Sequence, residues 1–201
     1  YSVSMSDGYL TDPFKVISVV DPVTGVPLFE NATEVNLPTV LFENRPDSRL
    51  KHAFYGMYKR WLKGGDVLDA SYRLMIDDWG ITSHTIDTHY RWALNNGMYL
   101  QPHLRIYQQS EADFYTPFFI SGTAPTAGNA SFEASADTRL GEFMAYTVGL
   151  EVGADKTNAN WSAAIEYYLQ QGDEPTKFGE LNNQELVPDV DALMLRFTYD
   201  F

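Results

Sequence analysis

Residues capable of acid–base or metal chemistry are concentrated in two neighbouring segments. Asp87 and His89 lie two residues apart in the first segment, and His103 and Arg105 lie two residues apart in the second. This spacing places both members of each pair on the same face of a β-strand. Imidazole and carboxylate groups bind zinc or copper, and they also transfer protons. The four residues are therefore candidates for a metal site, a proton-transfer site or a salt-bridge cluster.

The loop between these segments determines whether the two pairs face each other. A two-residue turn on Asn96-Gly97 would set polar-face residues opposite apolar-face residues. A three-residue loop over 95–97, with Gly97 in the left-handed conformation, keeps the faces aligned and is a favoured hairpin type. We therefore predict three opposed pairs, namely His89 with His103, Asp87 with Arg105, and Arg91 with Gln101.

In this register Asp87 is the third ligand that a metal would need, and Arg105 competes for it. We therefore interpret the group as a solvated salt-bridge ladder, and a metal site and a proton-transfer site are the alternatives. The interpretation predicts that the protein is not an enzyme, with no catalytic residue, no resident metal and no cofactor. A mid-strand position for His89 agrees with this, because it places the ring deep inside a barrel.

Alternation of apolar and polar residues runs through most of the chain. Strands that cross a bilayer need about 9–11 residues with one apolar face. Segments of this kind predict eight strands, at 1–5, 49–62, 67–77, 85–94, 98–109, 142–152, 161–170 and 192–201. Their polar faces combine charged and histidine side chains, which we predict to line a pore: Asp69, Arg73, Asp87, His89, Arg91, His103, Arg105, Glu151, Glu166 and Arg196.

These strands predict an all-β fold, an antiparallel transmembrane β-barrel over the single domain 1–201. Connections alternate between short and long, which is typical of outer-membrane barrels with short periplasmic turns. We predict extracellular loops at 6–48, 110–141 and 171–190, and a periplasmic turn at 153–160. Only eight strands fit and the first is short, so we expect the chain to be the C-terminal half of a larger barrel.

The composition excludes several classes of protein. The chain has 27 acidic and 14 basic residues and a formal charge of −13, which argues against nucleic-acid binding. It contains no cysteine, so disulfides and thiolate metal sites are excluded. The acidic external loops could bind calcium or lipopolysaccharide phosphates, although solvation alone accounts for them. The first long loop is too apolar to remain in water, and folded into the barrel it would plug the pore.

The last strand ends in alternating aromatic and aliphatic residues. It resembles the closing strand of bacterial outer-membrane barrels, in which such an ending is recognised by the barrel assembly machinery. Phe197, Tyr199 and Phe201 would form that signal. Two further segments, GYLTDPFK at 8–15 and FENRPDSR at 42–49, resemble an uncharacterised family of Gram-negative outer-membrane proteins known only as a domain of unknown function.

This resemblance implies a barrel about twice as long as the chain, located in the bacterial outer membrane with lipids and lipopolysaccharide as its surroundings. It also implies genes near those for flavin attachment and thioredoxin-like proteins, and hence extracytoplasmic redox chemistry. We predict a porin-like pore, or the barrel component of a transport or electron-transfer complex. The alternative is a plugged docking barrel that holds a periplasmic or lipoprotein redox partner. A soluble lipocalin-like barrel is a weaker third interpretation.

Overall fold

The alternating segments form β-strands throughout a computed structural model of the chain, which describes residues 1–8, 10–32, 35–125, 132–156 and 159–200. The fold is all-β. In chain order the strands are β1 (Ser2–Asp7), β2 (Val16–Val20), β3 (Phe29–Ala32), β4 (Val35–Pro38), β5 (Val40–Phe42), β6 (Ser48–Trp61), β7 (Val67–Asp77), β8 (Thr82–Ala93), β9 (Met98–Gln109), β10 (Phe118–Ile120), β11 (Phe143–Lys156), β12 (Ala159–Gly172) and β13 (Val190–Asp200).

Eight of these strands form one antiparallel sheet in the order β1-β6-β7-β8-β9-β11-β12-β13. They correspond to the eight predicted segments, so the all-β antiparallel prediction is confirmed. The sheet is open within the described residues, with β1 and β13 as its edges. No helix in the described part of the chain is long and apolar enough to cross a membrane.

One predicted connection is wrong. The turn expected at 153–160 is replaced by strand, because β11 and β12 stay paired as far as Lys156 and Ala159. Residues 157 and 158 lie outside the described part. The ring of Tyr99 lies where a Cβ on Gly153 would be, and this packing explains how a glycine is accommodated within the strand. The turn-like composition of the segment therefore misled the prediction.

The hairpin between β8 and β9 has the predicted geometry. Asp87 lies opposite Arg105 and His89 opposite His103. The connecting residues form a short 3-10 turn over Asn95–Gly97, in which both Asn96 and Gly97 have positive φ. The Leu94 N–H donates to the Met98 carbonyl at 2.8 Å and closes the loop. The register inferred from face parity is confirmed.

The main sheet exposes large apolar side chains on one face and buries small or polar side chains on the other. A sheet in water has the opposite arrangement. Val148 and Leu150 of β11 are 59% and 44% exposed, whereas Ala145 and Thr147 on the opposite face are 3% and 7% exposed. Sheet register places further exposed side chains beside Val148 and Leu150. We call this side the apolar face and the other side the polar face; the apolar face includes Ile86, Leu104, Ile165, Tyr167, Leu193, Leu195 and Phe197.

The three long connections pack together at one end of the sheet, and we call their described residues within 8–47, 110–142 and 173–189 the cap. Strand β2 pairs with β5 and β10 there and buries Ile17 and Val20. A second cluster centres on Trp79 and Phe114. The described residues of the first long loop are thus packed into the cap. The cap contacts the polar face at the end of β9, where Gln109 donates to the backbone carbonyls of Arg139 and Gly141.

Candidate functional site

One line of chemically active residues crosses the polar face at mid-height. Adjacent strands place these residues directly opposite one another, so they lie at the same level of the sheet. We call this line the central row, and it consists of Lys59, Asp69, His89, His103, Gly149 and Glu166. Four of them are pore-lining residues predicted from the strand pattern, which gives no sign that Glu166 belongs with the histidines. The row is a continuous line of titratable groups interrupted only by a glycine.

The two histidines lie side by side with Asp87 next to them. Their rings are stacked, with centroids 4.0 Å apart and planes 6° from parallel. The Asp87 carboxylate is 3.2 Å from His89 Nδ1 and 3.3 Å from His103 Nε2. One carboxylate therefore contacts a nitrogen of each ring. Both imidazoles are partly shielded from solvent, His103 more than His89.

Gly149 lets His103 reach a carboxylate two strands away. His103 Nδ1 is 2.8 Å from Glu166 Oε1, although β11 lies between the two residues. A Cβ on Gly149 would lie 2.7 Å from Glu166 Cγ, so a side chain here would displace that carboxylate. The sequence signal for this contact was the glycine in the middle of β11, since strand glycines often mark a close approach.

Arg105 does not hold Asp87, although the two residues are opposed as predicted. The Asp87 carboxylate is directed to the two histidines instead. Among the described residues, neither Arg105 nor Arg73 has an ion pair closer than 4 Å. The expected competition between Arg105 and a metal for Asp87 is therefore absent from this arrangement.

A second cluster lies on the polar face toward the short-turn end. The Arg91 guanidinium lies 3.6 Å from the centre of the Tyr99 ring and forms an ion pair with Asp155. Tyr99 in turn donates to Glu151 at 2.7 Å, and Arg196 pairs with the other oxygen of Glu151 at 2.6 Å. Sequence analysis placed Arg91, Glu151 and Arg196 in the pore lining and missed Tyr99 and Asp155.

Pairing across the sheet also brings Lys59 close to Asp69, with Nζ and Oδ2 3.2 Å apart. Lys59 was missed because the mixed composition of its strand concealed which residues face which way. An open cleft of about 610 Å³ adjoins both clusters. Its lining includes Asp69, His89, Arg91, Gln101 and Asp155. Water and small solutes therefore have access to the central row from the short-turn end.

The two motif segments at 8–15 and 42–49 meet inside the cap. The Asp12 N–H donates to Glu43 at 2.6 Å, and the Arg45 N–H donates to Thr11 at 3.0 Å. Arg45 also pairs with Asp137 at 2.9 Å. The described residues of the two motif segments thus stabilise the cap and lie away from the central row.

Asp137 is buried and acts as the hub of this polar network. Burial by itself raises the pKa of its carboxyl, but hydrogen bonds from Arg139 and Arg45 outweigh that effect and hold the pKa well below its usual range. The carboxylate also caps a short turn by accepting from the Arg139 N–H. The ionised form of Asp137 is therefore part of the folded cap.

The predicted assembly-signal residues lie on the apolar face of the edge strand. Phe197 and Tyr199 are 71% and 54% exposed. Phe201 lies outside the described residues. The two described residues therefore lie beside apolar side chains of β12, with Tyr199 opposite Trp161.

Comparison with known proteins identifies the family of the chain. The searches of curated proteins and of solved structures return nothing that matches the chain. The family model described as "Protein of unknown function (DUF3570)" matches residues 1–201. The suspected relationship to a domain of unknown function, based on the 8–15 and 42–49 segments, is thereby confirmed. The chain belongs to the DUF3570 family of proteins of unknown function.

Proposed function

We propose that this chain is part of a transmembrane β-barrel in the outer membrane of a Gram-negative bacterium. The single observation that carries the proposal is the exposure of the apolar face. Val148 and Ile86, on the apolar face of interior strands, are 59% and 50% exposed, while the polar face of the same strands buries Thr147 and Ser83. A sheet in water would hide the first pair and expose the second. Hydrocarbon is the solvent that suits the apolar face.

The open edges of the sheet support a larger barrel. Strands β1 and β13 are the edges of the sheet in the described structure, so each has one side without a neighbouring strand. In hydrocarbon, every backbone donor and acceptor must be hydrogen-bonded, and only closed barrels achieve this with strands. We therefore propose that further strands complete the barrel and that the polar face lines its interior.

The proposed activity is that of a pore, or of the barrel component of a transport or extracytoplasmic electron-transfer complex. Paired charges along the polar face support this activity, since they create a hydrated and selective interior. The cleft beside the central row supports solute access from the periplasmic end. Outer-membrane lipids, lipopolysaccharide and the barrel assembly machinery are the proposed surroundings and partners.

A second candidate is a docking barrel that holds a periplasmic or lipoprotein redox partner. The cap favours it, because the three long connections bond to one another at one end of the sheet and contact the end of β9. A barrel closed in this way conducts poorly until the cap opens. Pore and docking barrel therefore differ in what happens when the cap is loosened.

Conductance of the intact, full-length protein in a planar bilayer tests the proposal. We compare the wild type with Arg45→Ala, which removes one ion-pair partner from each of Glu43 and Asp137 in the cap. Lys63→Ala is the matched control, since it removes one positive charge from an exposed residue in the short turn between β6 and β7. Migration on SDS gels before and after boiling checks that each variant is a folded barrel.

Current steps from the wild type would establish a pore. Current only from Arg45→Ala, with Lys63→Ala silent, would establish a barrel closed by its cap and favour the docking function. Silence from all three folded proteins would contradict the pore. Failure to enter membranes at all would contradict the barrel.

A further inference from the structure

We propose that Asp87, His89 and His103 bind a divalent transition-metal ion, of the class of Zn²⁺ or Co²⁺, at the centre of the polar face. Each residue offers one ligand atom, and the three atoms lie within 4.8 Å of one another. The proposal goes beyond the pore function, because it depends on the local arrangement of β8 and β9 and not on whether the barrel conducts.

The distances fit such an ion. The Asp87 oxygens lie 3.2 Å from His89 Nδ1 and 3.3 Å from His103 Nε2. Ligands about 2.0–2.1 Å from a tetrahedral metal are separated by about 3.3 Å along the edges of the tetrahedron. Each histidine nitrogen is therefore about one such edge from one oxygen of Asp87, His89 Nδ1 from Oδ1 and His103 Nε2 from Oδ2. Because the two rings are stacked with planes 6° from parallel, they must turn out of the stack before both nitrogens can point at one ion.

Glu166 supplies a second and independent indication. His103 Nδ1 is 2.8 Å from Glu166 Oε1, a distance at which an Nδ1–H donates to the carboxylate. The other ring nitrogen, Nε2, faces Asp87 Oδ2 at 3.3 Å, and the proposed ion would bind there in place of a proton. Metal-binding histidines characteristically donate their other N–H to a carboxylate in this way.

The orientation of the Asp87 carboxylate also suits metal binding. It turns to the two histidines and leaves its register partner Arg105 aside. Three protein ligands leave one coordination position open on the ion, for water or a solute. The cleft next to His89 provides the route to that position. The site would therefore bind the ion reversibly from the interior of the barrel.

Titration of the intact, full-length protein in detergent with Co²⁺ tests the proposal. We expect one equivalent to bind with the intense visible absorption of tetrahedral cobalt, and Zn²⁺ to abolish that absorption. His89→Gln and His103→Gln should remove the signal. Glu166→Gln should retain it with an affinity about 10–100-fold weaker, because the supporting carboxylate is lost and the ligands remain.

The chain supplies a matched control. Its two other histidines, His52 and His84, face the apolar side, and each bonds a tyrosine hydroxyl at 2.7 Å. His52→Gln combined with His84→Gln should leave cobalt binding unchanged. Heat-dependent migration on SDS gels confirms that each variant is folded.

If the histidine variants do not fold, the wild type still decides the question. Cu²⁺ bound to protein carrying ¹⁵N-labelled histidine should show hyperfine coupling to two imidazole nitrogens. Absence of stoichiometric binding, an octahedral cobalt spectrum, or binding lost in the His52/His84 variant would overturn the proposal. These metal-binding measurements do not depend on whether the protein conducts. The metal-site proposal and the pore proposal can therefore be refuted independently.

Discussion

The absence of a side chain at Gly149 makes room for the contact between Glu166 and His103. The lack of a Cβ lets Glu166 lie against the backbone of β11 and reach His103. Sequence reasoning predicted both histidines and their pairing, because face parity and loop length are local properties. It could not group Glu166 with them, since that contact spans 63 residues and passes over a strand between.

The first prediction concerns Gly149→Ala. The new Cβ would lie 2.7 Å from Glu166 Cγ and push the carboxylate away from His103. We expect an affinity for Co²⁺ about tenfold weaker, as for loss of any supporting carboxylate. Gly56→Ala is the control, because nothing lies within 4 Å of its Cβ position. Equal cobalt affinity in both variants would show that Glu166 does not support the site.

Asp137 sets the pH response of the cap. Its pKa lies below the ordinary 3.8, because hydrogen bonds from Arg139 and Arg45 outweigh the effect of burial. A lowered folded-state pKa stabilises the fold above pH 3.8 and loses that effect as pH falls further. The cap should therefore open in acid.

Asp137→Asn should open the cap even at pH 7. Removing one partner of a buried ion pair costs about 3–5 kcal/mol. We expect trypsin to cleave the cap of this variant faster than that of the wild type. Asp113→Asn, at an exposed position of the same loop, is the control. Identical digestion of the wild type and Asp137→Asn would refute the structural role of the carboxylate.

At the scale of the element, the β8–β9 hairpin was predictable because its loop and both strands obey one parity rule. The β11–β12 connection was not predictable, since Gly153 and Asp155 have turn-like composition. Tertiary contacts keep these residues in strand: Tyr99 packs over Gly153, and Arg91 pairs with Asp155. Side chains from other strands thus decide where this hairpin turns.

Disulfide formation tests the hairpin register. Thr85 and Tyr107 lie directly opposite each other. Thr85→Cys with Tyr107→Cys should cross-link under mild oxidation in the folded protein. Thr85→Cys with Arg105→Cys is the control, displaced by two residues on the same face, and should react more slowly. Preferential linkage of the control pair would mean that the strands are shifted.

At the scale of the whole molecule, the sequence predicts that long connections gather at one end but not how they pack. Asn44 and Ala134 form a bridge between loops 90 residues apart, and no local pattern indicates such a pairing. The motif at 42–49 was recognisable from sequence alone. Its role in joining the loops became clear only from the folded arrangement.

We propose that the apolar face of the sheet contacts lipid and that the polar face contacts water. Residues 1–201 contain no cysteine, so every labelled position within them is one that we introduce, and any cysteine elsewhere in the full-length protein is first replaced by serine. We choose two adjacent pairs, Leu104→Cys with Arg105→Cys, and Leu195→Cys with Arg196→Cys. The intact, full-length protein is reconstituted in bilayers for the measurement.

The most direct test is the accessibility of these labels to oxygen and to a water-soluble nickel complex. Labels at 104 and 195 should relax with oxygen, which concentrates in hydrocarbon, and labels at 105 and 196 should relax with nickel. Nickel access at 104 and 195, or no difference between neighbouring positions, would contradict a sheet embedded in the membrane.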